Sequence, residues 1–158
     1  ENPKQSGNGG QVTTIPLRVE EDAAPYQLDE QAGFILRRAF QRHAAIFQGH
    51  IVDLTATQWA VLAKLSELEQ ASQNHLGRLT AMDAATMQGV VRRLMERDLV
   101  RRGESPLDRR RLVLRLTDSG RGLVEALTPH ALAATRETLA PLAPKERDTF
   151  LRLLKKLV

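Results

Sequence analysis

The chain has no cysteine, which excludes disulfide staples and thiolate metal sites. Absence of cysteine accords with a reducing compartment, and the cytoplasm is the expected location. No apolar run reaches membrane-spanning length, and the start, Glu1-Asn2-Pro3-Lys4, does not read as a signal peptide. No membrane partner is therefore expected. Gly7, Gly9 and Gly10 stand in a tail with no strand–helix unit after them, so they form no phosphate loop. No nucleophile lies beside a base in any familiar local signature, so the chain does not read as an enzyme. The four histidines include no pair at helical i,i+4 spacing, and zinc is not expected. No resident cofactor is implied and no internal repeat is present.

What is present is an uneven charge. The 158 residues suffice for one subunit with a real core and carry a net charge of +4. Between Gln73 and Arg115 stand ten arginines against five acidic residues, so this stretch alone carries +5 and the remainder is close to neutral. Every base in the stretch is arginine and none is lysine. A field of this kind attracts nucleic acid, an acidic membrane or an acidic protein. Arginine favours planar, two-pronged contact with phosphate and guanine edges.

Hydrophobic spacing divides the chain. Residues 1–27 show no sustained period and read as a flexible arm that orders against a partner subunit, with Val12, Ile15, Leu17 and Tyr26 available for contact. A helix over about 29–49 places Leu36, Phe40, His43 and Phe47 on one face. Thr55 and Gln58 make a capping box that opens a second helix, with Trp59, Leu62 and Leu65 on its buried side. A short third helix covers about 74–80. Ala81-Met82 form a tight connection, and Asp83 caps a fourth helix reaching about 98. Met87, Val90, Val91 and Leu94 share one quadrant of it. Strands over 100–102 and 112–116 flank a turn-rich loop containing Gly103, Ser105 and Pro106. Thr117 caps a fifth helix to about 139 with Pro129 as its bend, and Pro144 opens a sixth. The expected fold is mainly α with a small β-wing: six helices and two to three short strands. Residues 54–117 form a winged helix-turn-helix, while 28–53 and 118–158 supply dimerisation helices.

Helix, tight turn, helix and basic hairpin is a groove-reading order. The second helix of the pair enters the major groove, and the hairpin reaches toward the neighbouring minor groove, where arginine suits the concentrated negative potential. The chain resembles the MarR (multiple antibiotic resistance regulator) family of bacterial repressors over about residues 27–158. The resemblance is carried by Asp108-Arg109-Arg110-Arg111, which resembles the family's Asp-x-Arg wing signature, and by Leu116-Thr117-Asp118-Ser119-Gly120, which resembles its Leu-Thr-x-x-Gly helix start. Leu54-Thr55-Ala56-Thr57-Gln58-Trp59 resembles the start of its second helix. The resemblance implies that Asp108 orients the wing and that Arg110, flanked by Arg109 and Arg111, enters the minor groove. Gln88 and Arg92 would face the major groove beside Ala85, Thr86 and Gly89, with Arg93 nearer the flank. The sequence departs from the family at Ala84, Ala85 and Gly89, where many relatives carry polar residues, and at Asp98, where glycine is common.

The resemblance further implies a homodimer built through the arm and the first, fifth and sixth helices, bound to double-stranded DNA and released by a small-molecule effector. His43, Phe47, His50 and Trp59 are the candidate ligand contacts, suited to an aromatic carboxylate or phenol by stacking and a charge-assisted hydrogen bond. Within that class a hydroxynicotinate-like pyridine carboxylate is the expectation. Plainer readings stand beside these. An arginine run in isolation is a solvated turn; Gln88 and Arg92 suit a solvated helix face; His43 and Trp59 suit a core. Two other functions remain open at this level: an effector-independent architectural DNA-binding protein, and a module whose wing binds an acidic protein.

Overall fold

Four helices begin at a side chain that accepts a hydrogen bond from the helix's own first turn, the feature that turns a hydrophobic period into a bounded element. In the computed structural model, which describes residues 25–105, 110 and 112–158, these caps are Thr55, Ser72, Asp83 and Thr117. They open α2 (Ala56–Leu68), α3 (Gln73–Leu79), α4 (Ala84–Glu96) and α5 (Asp118–Thr138). A single 3-10 turn (Leu28–Glu30) precedes α1 (Ala32–His50), and α6 (Pro144–Leu154) starts at a proline. The capping box at α2 is complete: Gln58 N–H donates to Thr55 Oγ1 at 3.2 Å, and Thr55 N–H donates to Gln58 Oε1 at 2.9 Å.

The core collects Leu62, Leu65, Val61, Leu76, Met87, Val91 and Leu94 from α2, α3 and α4, all buried. The apolar quadrant predicted for α4 is the buried one. On α2 the sequence expectation needs adjustment: Val61 joins Leu62 and Leu65 in full burial, while Trp59 is half-buried at the core's edge. α1 packs along α5. Only the C-terminal end of its predicted apolar face is covered: Phe47 is buried, but Leu36 and Phe40 are 42% and 65% exposed. α5 runs through Pro129.

β1 (Val100–Glu104) and β2 (Leu112–Leu116) pair antiparallel, from Val100 opposite Leu116 to Glu104 opposite Leu112. β1 extends two residues beyond the sequence expectation because Gly103 and Glu104 continue the ladder. Ala71 adds one bridge to Leu114 on the far edge, with N···O distances of 3.2 and 2.8 Å. This is the third, single-bridge strand position.

α4 ends in a reversal that the sequence left open. Leu99 N–H donates to Leu94 O at 2.9 Å and Asp98 N–H to Met95 O at 3.0 Å, a Schellman pair, with Leu94 and Leu99 both buried. This geometry places Asp98 at φ 53°, a left-handed conformation that glycine adopts without penalty. An aspartate there also sets negative charge at a helix C-terminus. Asp98→Gly is expected to stabilise the fold by roughly 0.5–1 kcal/mol, seen as a higher melting temperature. A lower one would mean that the side chain contributes more than its backbone costs.

Candidate nucleic-acid interface

The turn between α3 and α4 repeats the same reversal. Met82 N–H donates to Gly77 O at 2.9 Å, Ala81 N–H to Arg78 O at 3.4 Å, and Ala81 takes φ 52°. Asp83 then caps α4: Thr86 N–H donates to Asp83 Oδ1 at 2.9 Å and Thr86 Oγ1 donates to Asp83 Oδ2 at 2.7 Å. The Thr86 hydroxyl, followed by the Thr86 amide, holds the Asp83 carboxyl below the usual carboxylate range. Since the Thr86 proton is engaged, that side chain presents a methyl group and lone pairs outward rather than a donor.

With its inner side sealed in the core, α4 turns Ala85, Thr86, Gln88, Arg92 and Arg93 to the exterior, with Gly89 half-buried among them. A methyl group added at Gly89 would meet nothing within 4 Å. Glycine within a helix costs about 0.5–1 kcal/mol relative to alanine, so an unhindered one suits a surface that another molecule approaches closely. Arg92 lies 3.6 Å from Glu96, both side chains well exposed, a weak pairing readily exchanged for another anion.

Arg110 is exposed in the connection between β1 and β2. Asp108, Arg109 and Arg111 lie outside the described residues. Among the described residues, Arg115, Arg97 and Arg102 of the basic stretch are tied to the body of the protein. Arg115 Nε donates to Gln70 Oε1 at 3.0 Å and its Nη2 to Glu104 O at 3.3 Å, bracing the base of the hairpin. Arg97 Nη1 donates to Asp53 O at 2.7 Å, joining the end of α4 to the α1–α2 connection. Arg102 Nη2 donates to Gln73 Oε1 at 3.3 Å. Neither Arg97 nor Arg102 stands among the sequence-derived site residues. The available signal for Arg102 was the period of two in β1, which puts it on the same strand face as Val100.

The candidate ligand residues separate into two environments. His43 Nδ1 lies 2.9 Å from Thr138 Oγ1, and His50 Nε2 lies 2.8 Å from Glu137 Oε2. Both imidazoles of α1 therefore meet the last turn of α5, whose carbonyls Thr138 O and Glu137 O also accept from Arg42 at 2.7 and 3.4 Å. The Phe47 ring lies 6.2 Å from that of His43, tilted by 49°. His43 lines an apolar groove of about 440 Å³ with Leu36, Phe40, Phe150, Leu151 and Leu154, between α1, α5 and α6. Phe47, His50 and Trp59 lie outside that lining. Among the described residues no cluster of His, Asp or Glu suits a metal ion, and no helix is long and apolar enough to cross a membrane.

Comparison with known proteins agrees with this architecture. A family model described as the MarR family matches residues 52–111, nearly the span of the winged unit. The HTH-type transcriptional repressor NicR of Pseudomonas putida is 40% identical over 147 residues, covering 92% of this chain and 93% of the relative. A crystal structure of a probable transcriptional regulator from Pseudomonas aeruginosa is 50% identical with a TM-score of 0.80, over 84% of this chain and 100% of its own. The Bordetella bronchiseptica regulator BpsR, whose DNA binding is regulated by 6-hydroxynicotinic acid, is 43% identical with a TM-score of 0.80, over 85% of this chain and 97% of its own. Identity at this level across nearly the whole length, together with a capped recognition helix and its adjoining basic hairpin, makes the chain a member of the MarR family of transcriptional regulators.

Proposed function

We propose that the protein is a homodimeric, cytoplasmic repressor that grips a pseudo-palindromic duplex and releases it on binding a small aromatic acid. The observation that carries the reading is α4 itself: capped at its open end, sealed on one side, and presenting Gln88, Gly89 and Arg92 on the other, next to an arginine-bearing hairpin. Gln88 and Arg92 read base edges in the major groove, with Ala85 and Thr86 beside them. Arg110 occupies the minor groove, supported by Asp108, Arg109 and Arg111. Leu36, Phe40, Phe150 and Leu151 are apolar and exposed in the single chain, which supports a dimer formed through α1, α5 and α6. Two-fold pairing sets half-sites about 10 bp apart.

The effector site draws on His43, Phe47 and His50 of α1, whose two imidazoles meet the last turn of α5, and on Trp59 of α2. A pyridine carboxylate of the hydroxynicotinate type is the favoured class, supported by the regulation of BpsR by 6-hydroxynicotinic acid. Its carboxylate competes with Glu137 for His50, and so alters the contact that holds α1 to the end of α5. A change of lobe spacing follows only to the extent that the ligand prefers one spacing over the other.

Selection of bound duplexes from a random pool, with and without 6-hydroxynicotinate and a panel of benzene and pyridine carboxylates, tests the whole reading. The expected result is a two-fold symmetric site lost when one of the acids is added. Enrichment with no symmetry would remove the dimeric repressor. A symmetric site indifferent to every acid, with no rise in melting temperature, would leave an effector-independent architectural DNA-binding protein.

A further inference from the structure

β1 carries two successive arginines, and strand alternation sends them to opposite faces. Arg101 stands opposite Arg115 in the ladder, and Arg102 opposite Leu114. Val100 shares a face with Arg102 and is buried, so Arg102 leaves the sheet on the side that meets the helix-turn-helix. There its guanidinium is oriented by Gln73 Oε1 of α3 at 3.3 Å, a neutral acceptor that fixes direction without cancelling charge. The same side chain borders a concavity of about 750 Å³ whose opposite wall is the outer face of α4, including Gln88, Gly89, Arg92 and Glu96.

A helix in the major groove and a hairpin in the adjacent minor groove straddle one sugar–phosphate strand, because that strand is what separates the two grooves. The concavity between α4 and β1 lies where this strand must pass. We propose that Arg102 is a phosphate clamp: it holds the backbone that runs between recognition helix and hairpin and thereby sets the register of both, while Arg92 on the far wall reaches past that backbone to the base edges. The proposal rests on the DNA-binding reading above and adds a contact from outside the recognition helix and the hairpin tip. Glu96 borders the same space, and in the free protein it pairs with Arg92. A phosphate entering there faces one carboxylate, and the Arg102 guanidinium is what makes its entry favourable. Phosphate contacts set register and affinity but carry no base information.

The test compares the full-length wild type with Arg102→Gln, Arg102→Lys and Arg101→Gln, on the selected duplex and on a random duplex across a salt series. Arg102→Gln is expected to bind both duplexes about tenfold more weakly and to lower the log–log salt slope by about one. Its preference between the two duplexes and its melting temperature should stay as in the wild type. Arg102→Lys should recover most of the affinity, since a phosphate accepts a point charge. Arg101→Gln, which removes the same charge from the opposite face, should change affinity less than about twofold. Unchanged binding by Arg102→Gln would overturn the clamp, as would a loss confined to the selected duplex, which marks base reading. A lowered melting temperature with Arg102→Lys equally weak would make the residue structural and overturn it too. A wild type that binds no duplex would instead remove the DNA-binding reading on which the clamp stands.

Discussion

Gly120→Ala is expected to cost about 3 kcal/mol or more of folding stability, the largest loss from a methyl group added at any of the described glycines. A Cβ on Gly120 would lie 2.1 Å from Leu99 O and 3.0 Å from Leu99 C, with Leu116 Cδ2 at 3.4 Å. The obstruction is backbone, and no side-chain rotation relieves it. Leu99 is buried between the end of α4 and the start of β1, and its carbonyl accepts from Thr117 N–H at 3.1 Å. Moving α5 away would break that bond, strain Thr117 Oγ1 to Asp98 O at 2.6 Å, and disturb the cap from Gly120 N–H to Thr117 Oγ1 at 3.0 Å. One junction thus joins α4, the hairpin and α5, and the methyl group would open it. Against a total stability of about 5–15 kcal/mol, such a loss leaves a protein that unfolds at markedly lower urea concentration. A denaturation midpoint like that of the wild type would show that α5 has freedom to shift at its N-terminus.

Arg110→Ala is expected to weaken binding of the selected duplex about 10- to 100-fold, or roughly 1–3 kcal/mol, with folding and dimerisation unchanged. Arg110 is an exposed residue of the hairpin connection and not part of the core, so stability has little at stake. Its proposed place in the minor groove makes the loss depend on sequence. A narrow, A·T-rich minor groove concentrates negative potential, and a guanidinium inserted there gains more than one lying along a wide groove. The affinity lost on Arg110→Ala should therefore shrink when the flanking A·T pairs of the duplex are replaced by G·C. The expected loss at Arg102 is equal on every duplex, so the two arginines are separable by experiment. Equal losses at Arg110 on both kinds of duplex would reduce it to a phosphate contact; no loss on either would take the hairpin tip out of recognition.

Much of the architecture was legible because it rests on local chemistry. Thr55 with Gln58, Asp83 and Thr117 mark helix starts through hydrogen bonds spanning three residues, and such bonds need no distant partner. The buried quadrant Met87, Val90, Val91 and Leu94 follows from a period of 3.6 and nothing else. Other features were hidden because they depend on what a residue meets across the fold. Leu36 and Phe40 belong to an apolar face, but α5 and α6 of the same chain leave them exposed. His43 and His50 looked alike as ligand candidates, yet one borders the apolar groove and the other is engaged by Glu137. Arg97 and Arg102 read as two more surface charges until tertiary packing set Asp53 O and Gln73 beside them.

The sequence by itself determined the order of elements, the inner face of the recognition helix and the concentration of arginine in one third of the chain, since periodicity, capping and charge are properties of short segments. Only the tertiary structure decided which arginines brace the protein and which face outward, why position 120 admits no side chain, and why Asp98 stands in a left-handed turn. Those outcomes depend on distances between segments far apart in the chain, and close packing makes such distances unforgiving.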